Sequence, residues 1–115
     1  MDVGTFAARL LRALAASDAF DRVDLRSEGP IAEGRAHVRE DLFLRFYFNE
    51  RTQTTAFALI QEEGERRRVW GIDRDNLRGW HEHPADDPTD HVVIEALTIA
   101  EVVTRLERVL REKSF

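Results

Sequence analysis

The sequence predicts an α+β domain: an N-terminal helix, a four- to five-stranded antiparallel meander, and a C-terminal helix packed on the sheet. Three observations predict it. Apolar residues recur at three- and four-residue steps at both ends of the chain. The period changes to two in between, from Phe20 to Asp73. The breaks between the alternating runs are short, and short connections favour antiparallel neighbours.

The first helix is carried by Val3, Phe6, Ala7, Leu10, Leu11 and Leu14, with Arg9, Arg12 and Ala16 opposite. Asp2 is its expected N-cap, and it ends near Ser17 and Asp18. Val23 and Leu25 then alternate with Asp24 and Arg26 up to a Gly29-Pro30 turn. Arg35, His37 and Arg39 alternate with Ala36 and Val38. Leu42, Leu44, Phe46 and Phe48 form one face of the next strand, and Phe43, Arg45 and Tyr47 the other. Such a strand is expected to be central and covered on both sides. Thr54 to Gln61 is rich in Thr, aromatic and branched residues, Glu63-Gly64 closes a hairpin, and Arg66 to Asp73 pairs back.

From Arg74 to His91 the sequence reads as one long irregular loop holding Gly79, Pro84, Pro88 and several Asp residues. Loops of that length are usually functional or mobile. Val92 to Ile94 is a short extended piece. Thr98-Ile99-Ala100-Glu101 is a capping box, followed by the apolar stripe Ile99, Val102, Val103, Leu106 and Leu110.

The 115 residues match one domain, 1–115, with a single modest core. No repeat or linker interrupts it. The absence of Cys excludes disulfides, thiolate metal sites and a cysteine nucleophile. No run is long enough to span a bilayer, and no signal-peptide pattern opens the chain, so a soluble cytoplasmic protein is expected. A net charge of −5 argues against a nucleic-acid binder held by a global basic field, while leaving room for a local basic face. An exposed outer strand would allow pairing of two protomers into a homodimer.

The segment from Asp73 to His91 is the chemically rich one. Three of the four histidines, His81, His83 and His91, lie in it, among Asp73, Asp75, Asn76, Glu82 and Asp90 and flanked by Trp70 and Trp80. In an extended segment His81 and His83 point the same way. With His91 or a carboxylate they could close a tetrahedral site for a divalent transition metal. The same histidines could act instead as base and acid of a metal-independent ribonuclease. Arg66, Arg68, Arg74 or Arg78 would then bear the phosphate charge, and Trp80 would stack a base. The plainer alternative is a solvated polar loop, with Arg66-Arg67-Arg68 paired to Glu62, Glu63 and Glu65. The acidic run Ala85-Asp86-Asp87-Pro88-Thr89-Asp90 suits a metal or a basic protein partner better than a nucleic-acid backbone, and Asp87-Pro88 also fits ordinary turn chemistry.

Trp70-Gly71-Ile72-Asp73, Asp75-Asn76, Trp80-His81-Glu82-His83-Pro84, His91 and the Thr-capped last helix together resemble the TumE-type proteins. These are small partners in prokaryotic toxin–antitoxin pairs, and the resemblance covers about the last third of the chain. It implies a toxin-like protein acting on RNA, a ribonuclease in the catalytic version, neutralised by an antitoxin protein. By position it places function on Asp75, Asn76, His81, His83 and His91. The spacing from Asn76 to His81 and the acidic insert before His91 depart from the family pattern. A non-catalytic protein-binding module and a small His-loop metal protein are the alternatives from other classes.

Overall fold

The computed structural model describes residues 1–84, 90–113 and 115. The acidic run at 85–89, with Asp86 and Asp87, lies outside the described residues. The chain runs α1 (Val3–Ala15), β1 (Arg22–Glu28), β2 (Ile31–Arg39), β3 (Leu42–Asn49), β4 (Thr54–Glu63), β5 (Arg66–Asp75), β6 (Gly79–His83), β7 (Val92–Val93) and α2 (Ile99–Glu112). The strands form one antiparallel seven-stranded sheet in sequence order. No helix is long and apolar enough to cross a membrane among the described residues.

Both helices begin where their caps were expected. Asp2 accepts the Thr5 amide at 2.7 Å. Thr98 and Glu101 close the reciprocal capping box, at 3.1 Å and 2.9 Å. Each helix turns its apolar stripe to the same face of the sheet. Phe6, Leu10 and Leu14 of α1 and Val102, Val103, Leu106 and Val109 of α2 share one core with Leu44, Phe46, Phe48, Phe57, Leu59, Trp70 and Ile72. The rings of Phe6 and Phe48 stack at 4.7 Å.

Seven strands replace the expected four to five because the long loop is shorter than it reads. Asp75 pairs with Gly79, so only Asn76, Leu77 and Arg78 make the turn. Asp75 Oδ1 accepts the amides of Leu77 and Arg78, at 2.9 and 2.7 Å, and Gly79 takes φ +67°. That is the three-residue hairpin with a left-handed glycine. The returning strand, Gly79–His83, was hidden because Trp80, His81, Glu82 and His83 lack the branched residues that mark a strand. Two of the three clustered histidines therefore sit on a strand rather than in a loop. Val92–Val93 extends the sheet as its seventh strand.

A further expectation fails at β3, which is covered on one side only. The register places Phe43, Arg45 and Tyr47 on the face opposite the helices, together with Ala56, Ala58, Ile60, Val69, Gly71, Asp73, His81 and His83. Arg45 is exposed and Tyr47 half-buried. Phe43 is shielded by the Arg35 guanidinium, 4.5 Å above its ring, rather than by a helix. Among the described residues no helix packs on this open face.

Candidate metal centre on the open sheet face

Alternation along β6 sends Trp80 and Glu82 to the helix face and His81 and His83 to the open face. On the helix face, Glu82 accepts the Trp70 indole N–H at 3.0 Å and meets Arg105 of α2 at 3.6 Å. On the open face, Asp73 of β5 is the register partner of His81, and Gly71 that of His83. A β-carbon at Gly71 would crowd the Phe57 carbonyl oxygen at 3.1 Å while making only ordinary contact, 3.8 Å, with the His83 ring.

The three histidines converge. Ring centroids are 4.9 Å apart for His81 and His83, 5.5 Å for His81 and His91, and 4.5 Å for His83 and His91. One nitrogen from each lies within 4.8 Å of the others, close enough to hold a metal ion. An ion about 2.1 Å from each nitrogen needs them about 3.4 Å apart, so the rings must close inward by about an ångström.

His81 is 2% exposed, an unusual burial for an ionisable ring. Its Nδ1 lies 3.2 Å from the Gly79 carbonyl. A carbonyl only accepts, so that nitrogen carries the proton and Nε2 presents its lone pair to the cluster. Nε2 of His81 is 3.8 Å from Asp73 Oδ2, and Nε2 of His83 is 2.8 Å from the same oxygen. The second approach is short, yet among the described residues the buried Nε2 of His83 has no hydrogen-bond partner. The carboxylate lies off the line a ring N–H would need, so this is a close approach rather than a formed hydrogen bond. A polar nitrogen left so is ready for a different partner.

His91 enters from the segment before β7 and is exposed. Arg78 Nη1 lies 3.0 Å from its Nδ1 and 3.1 Å from its Nε2. A guanidinium only donates, so His91 accepts and must give up this contact to take an ion. Partial desolvation, then the Arg78 charge, then His83 and His81 hold its pKa below the ordinary 6.5. The neutral, ligand-competent form is thus favoured near neutral pH.

The sign of the resulting pH dependence is set by that depression. As pH falls through 6.5 the unfolded chain takes up this proton before the folded one, so the stability His91 contributes is present above 6.5 and lost below it. Melting temperatures measured at about pH 7.5 and 5.5 are expected to fall less in His91→Gln than in the unsubstituted protein. Equal falls would show that His91 is not depressed.

The other residues singled out in the sequence serve different ends. Asp75 holds the β5–β6 turn, and its backbone hydrogen bonds from Arg78 and Leu77 keep its carboxyl below the usual range. Asn76 accepts from Arg74 at 3.1 Å and donates to the Thr52 carbonyl at 3.0 Å, tying this turn to the β3–β4 loop. Arg74 also donates to the Gln53 carbonyl at 2.7 Å. Arg68 donates to the Lys113 carbonyl at 3.0 Å and stacks on Phe115. Arg68, Arg74 and Trp80 face the helices, away from the histidines, so only Arg78 of the expected phosphate- and base-binding set reaches the cluster.

Asp73 was visible in the sequence only as one acidic residue among several. Its signal, the same strand face as His81, depends on a register that requires the hidden hairpin. Comparison with protein-family models, curated proteins and solved structures gave no match to this chain.

Proposed function

We propose that the protein is a metal-binding domain whose centre is His81, His83 and His91, with Asp73 as oxygen donor, selective for zinc or a neighbouring divalent transition ion. The observation that carries this reading is the convergence of three imidazoles on one sheet face with a carboxylate oxygen 2.8 Å from the unsatisfied His83 Nε2. Three nitrogen donors and one oxygen donor suit zinc, nickel or copper better than calcium or magnesium, which prefer all-oxygen shells. The Gly79 carbonyl orients His81 as outer partners orient metal-bound histidines. A bound ion would supply Lewis acidity at the open, solvent-facing side of the sheet.

The test is elemental analysis of the purified, untagged protein after equilibration with zinc. About one equivalent is expected, falling to background in His81→Ala/His83→Ala with the helix and sheet circular dichroism retained. Zinc retained in the double variant, or never bound by the unsubstituted protein, would sink the reading.

The toxin-like reading draws its support from the sequence resemblance, together with the meeting of the three histidines it carries over. Asp75 and Asn76, its other two positions, are occupied in holding a turn. Expression of the unsubstituted protein without its antitoxin should arrest growth, and the same double variant should not. Unimpaired growth with the unsubstituted protein would remove this reading while leaving the metal centre standing.

A further inference from the structure

The open face carries a second polar feature, on β1 to β3. Arg35 of β2 and Arg45 of β3 are direct cross-strand partners, and both are exposed. Like charges directly opposite one another on a sheet are destabilising. Here no carboxylate relieves them: among the described residues neither Arg35 nor Arg45 forms an ion pair. Asp24, the register partner of Arg35, is engaged elsewhere, 3.5 Å from Arg22 and 3.3 Å from His37. Glu33 faces Arg26 across the β1–β2 ladder. Asp24, Arg26, Glu33, Arg35 and Arg45, with Leu25, Gly34 and Phe46 of the same strands, line a depression of about 540 Å³.

The sheet register connects that depression to the histidines. Arg35, Arg45, Ala58, Gly71 and His83 are successive partners across five strands. The adjacent row runs Tyr47, Ala56, Asp73 and His81. Between the arginines and the histidines the face is therefore floored by Ala56, Ala58 and Gly71, with the half-buried Tyr47 ring alongside. Arg45 and His83 are three strand spacings apart, about 14 Å.

We infer that this row is a binding track for a single-stranded phosphodiester chain, with the Arg35–Arg45 pair gripping the backbone and the strand passing over the alanine and glycine floor toward the histidines. Guanidinium forks match phosphate oxygens in a bidentate way. An anion between them turns the cross-strand repulsion into attraction. Arg35 is held over Phe43, so part of its freedom is already lost before binding. Tyr47 offers a face on which a base can stack, the usual partner of backbone charge in single-strand recognition on sheets. An overall charge of −5 restricts the attraction to this local track. The placement of the far end rests on the metal-centre proposal; the grip at Arg35 and Arg45 does not.

The experiment is fluorescence anisotropy with a short labelled oligouridylate across a salt series, on the protein as purified, with zinc stoichiometry measured on the same samples. Two phosphate contacts predict that log Kd rises with log salt with a slope of about 1.4. Arg45→Gln should lower that slope by about 0.7 and weaken oligouridylate and oligoadenylate equally, with zinc stoichiometry unchanged and the melting temperature not lowered, since the substitution removes a cross-strand like-charge pair. Arg35→Gln should act in the same direction. No binding by the unsubstituted protein, binding indifferent to both arginines, or displacement by inorganic phosphate as effective as by unlabelled oligonucleotide would each overturn the inference. Absence of zinc from samples that still bind the oligonucleotide would count against the metal centre alone.

Discussion

Trp70→Ala is expected to destabilise the domain by about 3–5 kcal/mol, a large share of the stability of a chain this size. Trp70 is 1% exposed and is among the largest buried side chains. It sits at the middle of β5, opposite Leu59, where the helix-facing surface of the sheet meets α2. Its removal leaves a cavity that flanking strands cannot close without breaking their ladders. It also removes a partner of Glu82, whose carboxylate accepts the indole N–H and also meets Arg105. Trp70→Phe separates the two contributions, since it keeps most of the ring and loses the hydrogen bond. A loss of about 1.5–3 kcal/mol, the range for hydrogen bonds to charged groups, is expected there. Urea denaturation, with slopes unchanged between variants, measures both. A Trp70→Ala loss under about 1 kcal/mol would mean that this part of the core is not packed as described.

Gly34→Ala is expected to destabilise by about 3 kcal/mol, at the upper end of overpacking effects. A β-carbon built on Gly34 would stand 1.9 Å from the Asp24 carbonyl oxygen and 2.9 Å from Phe46 Cζ. The first neighbour is backbone, so relief requires β1 to move off β2. In a strand without such crowding, replacing glycine by alanine would help, because it reduces the freedom of the unfolded chain. The sign of the effect therefore reports the close approach of β1. An unchanged or raised melting temperature in Gly34→Ala would show that the two strands are not pressed together.

Several parts of this architecture were legible in the sequence because their causes are local. The caps at Asp2 and Thr98 need only a side-chain oxygen and an amide three residues on. The apolar stripes of α1 and α2 need only the helical period. Leu42 to Phe48 shows its two faces by alternation alone. The strand at Gly79–His83 was not legible, because none of its residues is β-branched and its turn is recognised only when Asp75 and Gly79 are read as a pair. With β6 hidden, Asp73 could not be set beside His81, nor Gly71 beside His83.

Local sequence set the order helix, meander, helix, the shared apolar side of the strands, and a His-x-His spacing that turns two imidazoles the same way once the segment is extended. Those are short-range consequences of backbone period and capping. Tertiary structure alone decided which sheet face stays uncovered, that His91 joins His81 and His83, that Asp73 stands beside His81 and His83, and that Arg35 stands opposite Arg45. Each of these joins residues from different strands or segments. Their meeting is set by hairpin register and by which face the two helices bury, quantities that no local period contains.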